Sequence, residues 1–118
     1  MLTVSFGYQH DLKTAWKKGL MPQVQRGVYG NVLTQDTISL EHIQPHSLGG
    51  RTTLDNLFIA DRTANAKRGT KPIMEVLTYK QLFDYLCQFI DVKNKYVDGK
   101  DYIIKIMKKI RSLDNEHI

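Results

Sequence analysis

A single cysteine, Cys87, stands in the 118-residue chain, so no internal disulfide can form and no cysteine-rich zinc site can be built. Within LFDYLCQFI it reads as a small, buried apolar residue. Long hydrophobic runs are missing as well: nothing approaches the roughly 20 apolar residues that a membrane-crossing helix needs. The opening MLTVSFGYQHDLK lacks a basic start followed by a long apolar stretch. The expectation is therefore a cytoplasmic protein with no secretory signal and no membrane among its partners. No internal repeat and no low-complexity tract is visible. Acidic residues are the scarcer charge, twelve against seventeen basic ones, and the resulting +5 favours a polyanionic partner. Ribosomal and membrane-surface proteins share that balance, so composition alone stops at a basic globular domain.

At this length one core can be buried but not two, and 1–118 is read as a single domain. Residues 8–18 place Leu12, Ala15 and Trp16 at helical spacing, with Gly19 as a stop and Pro22 beyond it. In 26–43, β-branched and aromatic residues alternate with polar ones around Gly30-Asn31 and again in TISLEHI, which predicts short strands. Residues 1–36 are accordingly an N-terminal helix and hairpin. The stretch QPHSLGGRTTLDN, 44–56, is rich in turn formers, and LFIAD after it has the length of a strand. A short helix is expected over 63–68, with Asp61 or Thr63 as N-cap and Gly69 and Pro72 marking its end. Residues 72–118 predict two longer helices. The first, about 74–91, carries Leu82, Leu86, Phe89 and Ile90 on one face; the second, about 99–113, carries Ile103, Ile106, Met107 and Ile110. The fold class is α+β.

The informative stretch lies within 37–71: LEHIQPHSLGGRTTLDNLFIADRTANAKRG, residues 40–69. In order it holds an acidic residue and His, then Pro, Gly-Gly, Asn-Leu, and an Asn followed by Lys, Arg and Gly. This pattern resembles the signature of HNH endonucleases over about a quarter of the chain. The resemblance implies a ββα-metal core over 37–71, made of a short antiparallel hairpin and a short helix. It further implies hydrolysis of phosphodiester bonds in DNA, with double-stranded DNA as the expected partner, and it admits a homodimer.

Such hydrolysis needs an activated water and neutralised phosphoryl oxygens. His42 suits the general base, because a neutral imidazole takes a proton near pH 7. Glu41 and Asn65 complete the catalytic set and, by resemblance, hold one divalent cation, Mg2+ or Mn2+, whose hard character suits their oxygens. His46, just past Pro45, is admitted as a further metal contact, whereas His10 and His117 are read as bystanders. Neighbouring side chains on a regular strand diverge, so Glu41 and His42 are expected at a broken strand end, with Gln44-Pro45 ending the pairing. Asn56, by resemblance, supports the site by fastening the loop that orients His42. Arg51, Arg62, Lys67, Arg68 and Lys71 are the candidate phosphate contacts, aided by the N-terminus of the short helix.

Two features depart from the commonest family pattern. Glu41 stands where Asp is more frequent, adding a methylene of reach. No C-x-x-C pair occurs in VYGNVLTQD, so no structural zinc is expected, and the hairpin and C-terminal helices must replace that staple. The alternative function is a non-catalytic nucleic-acid-binding module that retains the fold. The resemblance admits a phage or mobile-element setting.

Overall fold

Leu57 to Ala60 form an apolar run too short for a helix, and in the computed structural model, which describes residues 9–115, all four are buried in a strand. This strand, β2 (Leu57–Asp61), pairs antiparallel with β1 (Ile38–His42), in the register Ile38 to Asp61 through His42 to Leu57. The two make the one sheet among the described residues, within a mixed α+β fold that also holds five helices.

The far edge of β2 is not left open. Val28 N donates to Ile59 O (2.9 Å), Ile59 N donates to Tyr85 Oη (2.9 Å), and the Tyr102 hydroxyl donates to Leu57 O (2.6 Å). Three elements thus satisfy backbone groups that a bare edge strand would expose. The two hydroxyls also meet each other at 2.9 Å, and Phe58, Tyr85, Phe89 and Tyr102 form a buried aromatic cluster with mostly edge-to-face contacts.

Helix α1 (Gln9–Lys17) buries Leu12 and Ala15 fully, and its half-buried Trp16 donates from Nε1 to Val24 O at 2.8 Å. Helix α2 (Arg62–Arg68) follows β2 without a loop, because the Asp61 carboxylate caps it by accepting from Thr63 N and Ala64 N, both at 3.1 Å. Two further helices, α4 (Tyr79–Cys87) and α5 (Gly99–Asn115), carry Leu82, Leu86, Ile106 and Ile110 into the core. Among the described residues no helix is long and apolar enough to cross a membrane.

Several expectations are corrected. The hairpin around Gly30-Asn31 shrinks to one antiparallel bridge, Arg26 with Val32, around a turn in which Gly30 N donates to Gly27 O; no strand forms there. The helix expected over 74–91 is broken into α3 (Ile73–Val76) and α4, because Thr78 and Gln81 form a capping box that starts a new helix. Since α4 ends at Cys87, that residue and Ile90 are exposed rather than buried. Met107, expected on the inner face of α5, also faces outward, and Tyr102 takes the inner position instead.

Candidate functional site

Regular pairing stops at His42, and the chain from Ile43 to Asn56 crosses to β2 as a loop braced by one side chain. Asn56 is 1% exposed; its Oδ1 accepts from Gln44 N (2.8 Å), while Nδ2 donates to Gln44 O (3.1 Å) and Arg51 O (2.8 Å). One amide therefore gives Gln44 the bonds of a strand partner just before Pro45, which has no N–H to continue a ladder. The two glycines are required by the same fold. Gly49 sits at φ +90°, and a Cβ on Gly50 would meet Gln44 O at 1.7 Å. From the opposite side, Lys109 Nζ of α5 reaches Gln44 Oε1 at 3.4 Å.

This loop delivers Thr52 to His42: Oγ1 lies 2.8 Å from His42 Nε2, the donor depending on the ring's tautomer. The half-buried imidazole also faces His46 edge-on, with ring centroids 6.1 Å apart. Its pKa is lowered, first by burial and then by the positive charge that His46 and Arg68 place nearby. The surroundings of His42 thus favour the neutral ring.

Glu41 leaves β1 on the other face, as strand alternation requires, and is 1% exposed. Its Oε2 accepts from the Tyr29 hydroxyl (2.5 Å) and from Arg68 Nη1 (3.0 Å), whereas Oε1 is buried with no partner. Burial raises the Glu41 pKa against the opposing pull of Tyr29 and Arg68, and burial with the adjacent carboxylate holds the Tyr29 hydroxyl far above the ordinary tyrosine range. Glu41 and His42, expected together at a broken strand end, instead lie on opposite faces, because ending the strand after His42 is too late to turn Glu41 outward.

Asn65, half-buried on α2, donates from Nδ2 to Leu40 O (3.1 Å) and Ser39 Oγ (3.2 Å), so it ties the helix to β1 and leaves Oδ1 uncommitted. The N-terminus of α2 does not await an anion, because Asp61 already accepts its free N–H groups.

Arg68 is the largest correction. Expected at phosphate, it is 4% exposed. Nε donates to Lys71 O (2.7 Å), Nη1 to Glu41 Oε2 and to His42 O (2.5 Å), and Nη2 to Ile43 O (2.6 Å). By contrast Arg51, Arg62, Lys67 and Lys71 are exposed and make no ion pair among the described residues. His117 lies outside the described residues, as does the side chain of His10.

Sequence reasoning missed Tyr29 and Thr52. Thr52 follows the expected loop contact Arg51, but nothing in its type marks it as a histidine partner; Tyr29 adjoins a turn and gives no signal for a carboxylate 12 residues on.

Among the described residues no group of three or more His, Cys, Asp or Glu is placed to hold a metal ion. For a cation on Glu41 and Asn65, the orphaned Oε1 is a point in favour. Against it, the Glu41 side chain is fully enclosed and already neutralised by a guanidinium, so an incoming dication would face a like charge and have no space for the waters and phosphate it keeps. As arranged, the pair does not fit such an ion. Set against family models, curated proteins and solved structures, the chain matches none.

Proposed function

We propose that the protein is an HNH-type endonuclease that hydrolyses phosphodiester bonds of double-stranded DNA, with β1, β2 and α2 as its ββα core and His42 as the general base. The observation that carries this reading is the placing of His42: a ring biased toward neutrality, at the last position of a strand, with one nitrogen engaged by Thr52. When Nε2–H donates to Thr52 Oγ1, Nδ1 keeps its lone pair and accepts a proton from the attacking water as the P–O bond to the leaving oxygen breaks. Arg51, Arg62, Lys67 and Lys71, exposed and in no ion pair among the described residues, supply positive charge for the DNA backbone.

The resemblance carries a divalent ion with it, Mg2+ or Mn2+. Since Glu41 does not fit as its ligand in this arrangement, no step of the chemistry is assigned to that ion. The burial of Glu41 is also what favours the second reading, a nucleic-acid-binding module that keeps the fold without the reaction.

Purified protein incubated with supercoiled plasmid separates the two. The nuclease reading expects nicked circles with Mg2+ or Mn2+ and their loss on adding EDTA. Salt-sensitive binding with intact plasmid under every metal condition supports the binding module instead.

A further inference from the structure

Four hydrogen bonds leave one buried guanidinium, and they reach two segments, the turn after α2 and the end of β1. Arg68, the last residue of α2, holds its own C-terminal turn through Lys71 O, the carbonyls of His42 and Ile43 at the end of β1, and the Glu41 carboxylate. Tyr29, from the turn at 27–30, donates to the same carboxylate oxygen, Oε2. A planar fork of donors is needed to satisfy such a set; a lysine ammonium has three donors and no plane.

We infer that Glu41 and Arg68 form a buried latch that positions His42, with Arg68 as the positioning residue and Glu41 as its counter-ion rather than a cation ligand. The inference rests on the reading of His42 as the base. Its physical content is geometric. The His42 ring is set from two sides, by Thr52 on Nε2 and by the backbone carbonyl that Arg68 grips at 2.5 Å. Releasing that carbonyl lets the strand end rotate and takes Nε2 out of reach of Thr52. The glutamate fits this role. One more methylene than aspartate carries the carboxylate inward to meet both Tyr29 and Arg68, and a guanidinium fully withdrawn from water needs such a partner. The orphaned Oε1 follows from the same geometry, since both donors converge on Oε2.

The test is the ring signature of His42 in nitrogen-15 NMR of the full chain, at a pH where the ring is neutral. Wild type is expected to show one tautomer, protonated on Nε2. In Arg68→Lys the His42 signals move toward a mixture of tautomers, while Arg62→Lys leaves them in place. A folded Arg68→Lys protein with an unaltered His42 pattern overturns the inference. Should that variant fail to fold, Glu41→Gln is read in the same way: it keeps an oxygen facing Tyr29 and Arg68 but removes the counter-charge, and an unaltered pattern again overturns it. A second arm measures DNA binding. In Glu41→Leu/Arg68→Met, which removes the charge that Arg68→Lys keeps, the salt dependence of affinity stays as in wild type for a positioning residue, whereas a slope reduced by about one identifies Arg68 as a phosphate contact and overturns the inference. Where cleavage is observed, Arg68→Lys lowers kcat by about 100-fold, the scale of a misplaced catalytic group, and leaves KM unchanged. A wild-type chain that cuts nothing sinks the nuclease reading alone, and the ring signals still decide the latch.

Discussion

Asn56 meets the backbone of Gln44 twice, accepting from its N–H at 2.8 Å and donating to its carbonyl at 3.1 Å, so that a side chain stands in for a strand partner. Replacing Asn56 by Ala leaves these groups and Arg51 O without their partners in a partly buried setting. About 1–3 kcal/mol is expected for each group left unsatisfied. Asn56→Asp is expected to be worse, because an ionised carboxylate turns acceptor oxygens toward two carbonyls. Urea unfolding of both variants checks the order; equal stability of wild type and Asn56→Asp would contradict it.

The pair Glu41–Arg68 makes a thermodynamic prediction separate from its positioning role. Removing either partner alone, as in Glu41→Leu or Arg68→Met, strands a buried charge and is expected to cost about 3–5 kcal/mol. The double variant Glu41→Leu/Arg68→Met removes both charges and is expected to recover most of that loss. Denaturant midpoints of the four proteins form the cycle, and additive losses would show that the two side chains are not coupled.

These two residues also show what was legible in the sequence and what was not. Order and spacing within 40–69 sufficed for the sheet, the loop and α2, since Gly-Gly and Pro limit the backbone locally, whereas the brace at Asn56 was expected only from the resemblance. Arg68 was misread because lysines and arginines in a basic run look alike in sequence. Whether one turns inward depends on a carboxylate 27 residues away that waits beneath it. Likewise the apolar stripe from 74 to 91 hid a capping box, Thr78 with Gln81, that outweighs periodicity by ending one helix and starting another. Cys87 was misplaced through the same error: with the helix ending there, the small apolar residue faces solvent.

That capping box is itself testable. Thr78→Ala removes the acceptor for Gln81 N and is expected to cost about 1 kcal/mol. Thermal unfolding followed by circular dichroism measures it, and no change in midpoint would show that core contacts alone hold α4.

The lowered pKa of His42 sets a direction for pH dependence. Unfolded chain takes up the proton at about 6.5, and the folded chain only at lower pH. The folded state therefore binds fewer protons in between, and this group's contribution to stability, full above about 6.5, is lost as pH falls through the folded value. Activity follows the same ordering: the acid limb of kcat/KM should lie below about 6.5. Replacing His46 by Asn removes one of the charges that hold the pKa down, and the limb should move up. NMR titration of His42 in both proteins decides this; a wild-type value above about 6.5 would contradict it.

Thr52→Val keeps the shape of the side chain but deletes the hydroxyl that engages Nε2. With the tautomer no longer selected, cleavage should fall while DNA affinity holds. Gel-shift and nicking assays on the same preparation separate the two, and undiminished cleavage would remove Thr52 from the account.

His42→Ala tests the central claim most directly, in a plasmid-nicking assay at protein concentrations where wild type and variant occupy the DNA equally. Loss of about 10²- to 10⁴-fold in rate, the range for a general base, with unchanged binding is the result expected. Cleavage at the wild-type rate by His42→Ala would contradict the assignment of His42 as the base.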